Sequence, residues 1–559
     1  MPKHHALVIK SAQAARAACV LLALLCCCSV ARAQKSEAPA SVTGRVREGE
    51  RGVAGITVTL MASDPAQRFK TIARAKTDAE GRFRLTNIAP GRYQIQPFAP
   101  VYVVQGLSTD WPPGKFLTLL AGEEVSDIDF NVEHGGVITG RVTDADGNPV
   151  IAERVSIETD NNTQFQRRMV FDQRDQMTDD RGVYRIYGLP AGRYRVSVGQ
   201  SDEMGAVTFG RRKIYKRTFY PDATEAAQAR LIEVKPGSEA TDIDITLGRA
   251  VKTYRASGRF VSSETGQPVP NVVYGYGALD PGGRRISFFG SGMTTNARGE
   301  FQTEGLAPGR YAVFTTPQEG SEFYSDAVNF EVTDADVTGV VVRLKRGASV
   351  SGFVTIEGAS DRALVARLLT QVRVYGFVDA SAQSPAPNYS RPPVIGADGS
   401  FRLAGLRPGK LRISSSSERA KGVSFSRVEL NGVPVTNGID IAEGAQLTGV
   451  RVVLAYGSAV IHGQINFTNG VLPPNSRVLA LLRRVGAVAE STGGRQVAAD
   501  SRGLFIIDSL PAGEYELTVR VFGPRAFQSE PQRISLADGG EMSVTPVIDL
   551  NAPPRGGRP

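Results

Sequence analysis

The string "GRFRLTNIAPGRYQI", beginning at Gly81, recurs four more times along the chain. The other copies are "GVYRIYGLPAGRYRV" from Gly182, "GEFQTEGLAPGRYAV" from Gly299, "GSFRLAGLRPGKLRI" from Gly399 and "GLFIIDSLPAGEYEL" from Gly503. A second glycine always follows ten residues after the first, at Gly91, Gly192, Gly309, Gly409 and Gly513. Successive copies start 100 to 117 residues apart, far beyond the roughly 20 to 50 of solenoid repeats. That period is the size of a small β-domain, and 559 residues are too many for one core.

Each copy reads as two half-buried strands joined at a corner. Phe83 and Leu85 point to one face, Arg82 and Arg84 to the other. Ile88 tucks under the edge, Pro90 fixes φ at a turn position, and Gly91 is expected to supply a positive φ. Tyr93 and Ile95 return as the next strand. Just upstream, "TDAEG", "TDDRG", "TNARG" and "ADSRG" place Asp78, Asp179, Asn296 and Asp500 three residues before the glycine. A side chain of that type bonds its own backbone and fixes a hairpin turn.

Every copy also has an opening strand with a glycine in the same place: "SVTGRV" from Ser41, "VITGRV" from Val137, "RASGRF" from Arg255, "SVSGFV" from Ser349 and "VIHGQI" from Val460. Closing strands with alternating aliphatics follow: "VSDIDFNV" from Val125, "ATDIDITL" from Ala240, "VTGVVVRL" from Val337, "LTGVRVVL" from Leu447 and "MSVTPVIDL" from Met542. Alternation bounded by Gly, Pro, Asn and Asp is the strand signature, and short strands at this spacing indicate two packed sheets. Helical periodicity is nearly absent, the best stretch being "ATEAAQARL" from Ala223.

These strings together resemble the carboxypeptidase regulatory-like family, related to transthyretin-like and Cna-B-type domains. The resemblance implies an all-β chain: a tandem array of five Ig-like or transthyretin-like Greek-key β-sandwich domains. The expected division is 34–134, 135–250, 251–346, 347–456 and 457–551, after a signal peptide at 1–33 and before a disordered tail at 552–559. The joins "NVEHGGV", "LGRAVKTY", "RLKRGASV" and "LAYGSAV" leave few residues between strands. Short joins restrict motion, so a monomeric, elongated, stiff string is expected. Such modules are accessory parts of enzymes, adhesins and receptors, and superfamily relatives include starch-binding-type domains, which implies a carbohydrate-binding role.

The segment 1–33 opens with Lys3, Lys10 and Arg16, continues as "AACVLLALLCCCSV" and ends at Ala31 and Ala33, as a secretory signal peptide does. The apolar run is shorter than the about 20 residues a membrane span needs. Export to the periplasm, the outer-membrane surface or the exterior is therefore expected, with no transmembrane segment in the mature chain. A lipid anchor at Cys26 to Cys28 would follow Leu24 and Leu25, where small residues are wanted. All four cysteines lie in this segment, so the mature chain has no disulfide or thiol chemistry. Cleavage removes four basic residues and no acid, so the net charge falls from +9 to about +5. Both signs are interspersed without a basic stripe, which argues against nucleic acid.

Reactive constellations are missing from the sequence. The mature histidines, His134 and His462, have no partner at zinc-site spacing, and neither a metal nor a cofactor is expected. "DADGNP" from Asp144 resembles the start of a calcium loop, but Val155 stands where a Glu is needed, so a hairpin turn is the better reading. Arg45, Arg141, Arg259, Phe353 and Gln464 stand where Cna-B-type adhesins place an isopeptide lysine, so no such crosslink is expected. Aromatic residues after the return strand are the candidate ligand contacts: Tyr102 and Trp111 in copy 1, Phe219 and Tyr220 in copy 2, Phe323 and Tyr324 in copy 3. They can stack on a sugar or an envelope protein, or cap the open end of each sandwich. "RRKIYKR" from Arg211 is a basic cluster that suits an acidic polysaccharide or a solvated loop. The expectation is an envelope-associated, non-catalytic binding or scaffold protein. The alternatives are a carbohydrate binder using these aromatics and an enzyme with an unrecognised carboxylate pair.

Overall fold

The computed structural model describes residues 38–63, 70–106, 114–160, 176–200, 213–280, 282–283, 286–379, 386, 388–416, 419–473, 476–486, 495–523 and 525–552, with backbone only at 287–291. The expected signal peptide, Trp111 and the end of the expected tail lie outside these residues.

The chain is all-β and builds five separate apolar cores, one around each copy of the repeated string. The third unit shows the plan. One sheet runs Glu300–Leu306, Tyr254–Ser262, Val337–Arg346 and Phe323–Ser325; the other runs Ile286–Thr294, Val273–Leu279, Gly309–Thr315 and Val328–Val332. The strand before the corner is the edge of one sheet, and the strand after it is interior to the other. The Pro-Gly corner is thus where the chain changes sheets. In all five units the opening strand pairs antiparallel with the corner strand and parallel with the closing strand.

The register is the same every time. Gly44, Gly140, Gly258, Gly352 and Gly463 of the opening strands face Phe83, Tyr184, Phe301, Phe401 and Phe505 of the corner strands. A Cβ at Gly258 would lie 1.8 Å from the Val340 carbonyl oxygen, and one at Gly463 would lie 1.9 Å from the Phe505 ring. The opening-strand glycine therefore lets a buried aromatic ring and the closing strand press against bare backbone.

Simple alternation from Phe83 and Leu85 would turn residue 87 inward and Ile88 outward. Instead Ile88 is 1 % exposed. The cause is a left-handed residue at Asn87 (φ 59°), with Gly188 (69°), Gly305 (76°), Gly405 (65°) and Ser509 (59°) at the matching places. The pairing slips at the same step in all five copies, and this bulge flips the next side chain into the core. The left-handed region proper is occupied by the residue before the buried aliphatic. The expected positive φ of the second glycine is present at Gly91 (156°), Gly309 (159°), Gly409 (140°) and Gly513 (149°), and not at Gly192.

Two bonds finish the device. Asp78 Oδ1 accepts from the N–H groups of Glu80 (3.0 Å) and Arg82 (2.7 Å), and Asp179, Asn296 and Asp500 do the same in their copies. The Tyr93 hydroxyl donates to the Ala89 carbonyl (2.6 Å), Tyr311 to Ala307 (2.8 Å) and Tyr515 to Pro511 (2.8 Å), with Tyr194 likewise on Pro190. Each tyrosine latches its own corner; the fourth copy has Leu411 there and goes without.

Among the described residues the α-helix is Arg362–Leu369, capped by Asp361, whose Oδ1 accepts from the Ala363 N–H at 2.8 Å. The stretch from Ala223 gives only a 3-10 turn at Ala226–Gln228.

Candidate functional site

The structure places the expected loop aromatics in different settings. Phe219 and Tyr324 are 4 % and 6 % exposed, so neither offers a free ring face. Tyr220 is half-buried against the second core with Arg230 over its ring at 6.0 Å. Tyr102 is half-buried with its ring centroid 4.3 Å from that of His134. Phe323 is the exposed one, at 43 %. Trp111 lies outside the described residues. The rings mostly finish cores and joins, as an apolar cap does. From the basic run, Ile214 and Tyr215 are buried, and Arg217 is paired with Glu158.

Tyr324 belongs to a joint between the third and fourth units. Its hydroxyl meets Glu443 Oε1 at 3.3 Å, and the Arg407 guanidinium lies 5.2 Å over its ring. Arg407 also pairs with Asp326 at 2.9 Å, and Arg402 with Glu322 at 2.6 Å. A recess of about 160 Å³ sits here, lined by Tyr324, Asp326, Lys345, Asp379, Arg407 and Glu443 among others. Burial, with help from Glu443, pushes the Tyr324 phenol up to about 12. The recess is small and its charges already face one another, which suits a joint.

A second joint brings the ends of the array together. Arg502 Nη1 lies 2.5 Å from Glu123 Oε1, and its Nη2 donates to the Thr118 carbonyl at 2.5 Å. The Thr118 N–H donates to Asp500 Oδ2 at 3.2 Å, and the Thr118 hydroxyl to the Leu504 carbonyl at 3.3 Å. Arg92 stands 3.6 Å from Asp508. Asp500 has two tasks: Oδ1 fixes its own turn, while Oδ2 faces Arg502 and Thr118 and is sealed with no side-chain exposure. The turn "ADSRG" of the fifth copy is thus a docking element for the first unit. The sequence leads one to expect an elongated string; in the structure its first and fifth units touch.

A third feature is an aromatic face on the fourth unit. Strand Arg373–Val378 buries Val374 and Val378 and turns Tyr375 and Phe377 outward, with ring centroids 6.3 Å apart and planes 26° from parallel. Tyr389 bridges to Phe377 across the sheet edge. Phe377 and Tyr389 are 42 % and 44 % exposed. The alternation in "RVYGFV" carries this signal, but it lies before the corner, outside the segments where the sequence reading looks for contacts.

Other singled-out residues have structural tasks. Asp144 Oδ1 accepts from the N–H groups of Asp146 (3.0 Å) and Asn148 (2.9 Å), a hairpin turn. His134 Nδ1 lies 2.7 Å from Glu48 Oε1 at the join of the first two units, and this contact holds the Glu48 carboxyl below its usual range. Arg45, Arg141 and Gln464 donate to the carbonyls of Glu80, Arg181 and Arg502, steadying the turn before each corner. Among the described residues no three His, Cys, Asp or Glu side chains gather in a way that could hold a metal ion. No helix of the described residues is long and apolar enough to cross a membrane.

No curated protein matches the chain. Among solved structures, a streptococcal ancillary pilin is 13 % identical, covering 55 % of this chain and 98 % of the pilin at a TM-score of 0.24. The Bacillus anthracis TIE protein is 12 % identical over 76 % of both chains at 0.16. The major pilin subunit BcpA of Bacillus cereus is 11 % identical over 55 % of this chain and all (100 %) of its own, at 0.15. Scores this low carry no conclusion about assembly or ligand. The model of the carboxypeptidase regulatory-like domain matches residues 41–119 and 137–248, within the first two sandwiches.

Proposed function

We propose that this chain is an exported, non-catalytic scaffold that holds five β-sandwich domains in a closed array and presents their outer faces to partners of the cell envelope. The observation that carries this reading is the Arg502 clasp, which ties the first unit to the fifth. Four further joins support it: the Gly237 N–H on the His134 carbonyl, the backbone bond from Val251 to Ile214, Arg407 with Asp326, and the Gly457 N–H on Gly422. A chain built to move would have long joins; these are short and bonded. We place the domain limits at 34–134, 135–250, 251–346, 347–456 and 457–551, between consecutive cores, and read 1–33 as the export signal. The test is small-angle scattering of the mature chain in solution, joined to capture of envelope proteins by wild type and by Arg502→Ala. The scaffold reading requires a compact, monomeric wild type, and a partner set that the open variant holds less well. An extended wild-type profile would remove it.

A further inference from the structure

We propose that the outer face of the sheet formed by Arg373–Val378, Gly409–Ser416 and Ile439–Ile441 binds neutral glycans, with sugar rings stacked on Phe377, Tyr375 and Tyr389. This goes beyond the scaffold reading, since the face lies on one sandwich and needs no closed array.

Phe377 and Tyr389 face each other between the bonds Val378 N–H to Asn388 carbonyl and Ser390 N–H to Gly376 carbonyl, both 2.8 Å. That is the narrow, non-hydrogen-bonded kind of cross-strand pair, which sets two side chains side by side. Tyr375 continues the column two residues earlier on the same face. Two of the rings are thus held on a regular strand and the third by a backbone bridge to it, which lowers the ordering cost left for a ligand. Large exposed aromatic rings in one place are a binding signal in a monomer surface.

The neighbouring column decides the occupant. Ser414 lies opposite Tyr375, Arg412 opposite Phe377 and Ser416 opposite Arg373. Arg412 is paired with Asp379 at 3.3 Å, and both side chains are about half exposed (56 % and 51 %). The rim therefore offers hydroxyls, a guanidinium and a carboxylate without net charge at the pair. A pyranose has the matching chemistry: an apolar C–H face for the rings, and a rim of hydroxyls that both donate and accept. The other charges of these columns are also engaged: Lys410 pairs with Asp440 at 3.3 Å, and Arg373 donates to the Thr370 and Val372 carbonyls. An acidic polysaccharide would have to displace Asp379 and Asp440 from their cations, and a protein hot spot wants an apolar seal around its aromatic centre that this polar rim does not give.

The experiment is affinity electrophoresis of the full mature chain through gels holding hydroxyethylcellulose, xylan, soluble starch or polygalacturonate. Wild type is expected to be retarded by at least one neutral polymer and not by polygalacturonate. Phe377→Ala is expected to weaken that retention about tenfold, the loss of one stacked ring at roughly 1.4 kcal/mol, and the double variant Tyr375→Ala/Tyr389→Ala by more than tenfold. Phe353→Ala, which removes an exposed ring elsewhere (52 % exposed), is expected to leave it unchanged. Unaltered thermal melts show that the variants are folded. The proposal is overturned if no neutral polymer retards the wild type, if Phe377→Ala runs as wild type, if polygalacturonate alone retards it, or if sedimentation shows that Phe377→Ala dissolves a dimer seated on this face.

Discussion

Arg502 and Glu123, 379 residues apart in sequence, meet at 2.5 Å and close the chain on itself. The pair is only about a quarter to a third exposed (31 % and 23 %), and Arg502 also answers the sealed carboxylate of Asp500. Charged hydrogen bonds of this kind contribute about 1.5–3 kcal/mol each, and an end-to-end contact must offset the freedom of four joins. Glu123→Gln is therefore expected to open the array while leaving each sandwich folded. Solution scattering checks it: the radius of gyration should rise in the variant, and in wild type at high salt, because partly exposed pairs are screened. Equal radii in both proteins would mean the clasp is not what holds the ends.

Ser509 adopts the left-handed conformation (φ 59°) where three other copies have glycine and one has asparagine. A residue with a Cβ pays about 1–2 kcal/mol there. Glycine relieves that but adds about 0.4–1 kcal/mol of unfolded-state freedom. Ser509→Gly should stabilise the fifth unit by about 0.5–1 kcal/mol, and Ser509→Val should destabilise it by more. Denaturant melts of the two variants check the sign, and a less stable glycine variant would contradict the bulge account.

The strands, the turns and the five-fold repetition were legible because they depend on neighbours in sequence. Alternation sets Phe83 and Leu85 inward, and Asp78 bonds the turn it sits in. The bulge was half legible: Asn87, Gly188, Gly305, Gly405 and Ser509 form a column that favours left-handed backbone, yet the eye goes to the invariant Gly91 column. The tyrosine latch was hidden because alternation assigns Tyr93 to the core and says nothing of where its hydroxyl ends. The clasp was not legible at all, since nothing local in "ADSRG" tells Asp500, 5 % exposed, from its exposed counterpart Asp78. The aromatic face is hard to read for a different reason: Tyr375 and Phe377 lie on a regular strand, where alternation alone makes an outward ring look like ordinary surface.

The joint between units three and four has a defined pH window. The bond from Arg402 holds the Glu322 carboxyl below its usual range. A carboxyl depressed on folding contributes above its unfolded value, about 4.3, and the contribution is lost as pH falls through the folded one. Tyr324 runs the other way: raised by burial to about 12, it contributes fully below about 10 and is lost as pH climbs toward 12. The joint should hold from about pH 5 to 10. Amide exchange at Gly347, whose N–H donates to the Glu322 carbonyl at 2.8 Å, reports it once corrected for intrinsic rates. Asp326, partly buried but bonded to Lys345 and Arg407, is also held below its usual range. Glu322→Gln should therefore shrink the acid limb without removing it, and Tyr324→Phe should abolish the alkaline limb; limbs unchanged in these variants would assign the window to other groups.

Gly258 sits under the Phe301 ring with its missing Cβ 1.8 Å from the Val340 carbonyl oxygen and 2.8 Å from Phe301 Cε1. Neither neighbour can give way easily, because Val340 is ladder backbone and Phe301 is 4 % exposed. Gly258→Ala should cost the third unit about 3 kcal/mol or more, in the range of overpacked cores. Gly266, at φ 71° with nothing near its Cβ position, makes the control: alanine there meets backbone strain alone and should cost about 1–2 kcal/mol. Thermal melts of the full chain should show one transition displaced in Gly258→Ala and the others in place. If both alanines cost the same, the glycine is kept for its backbone angle and not for the ring that lies across it.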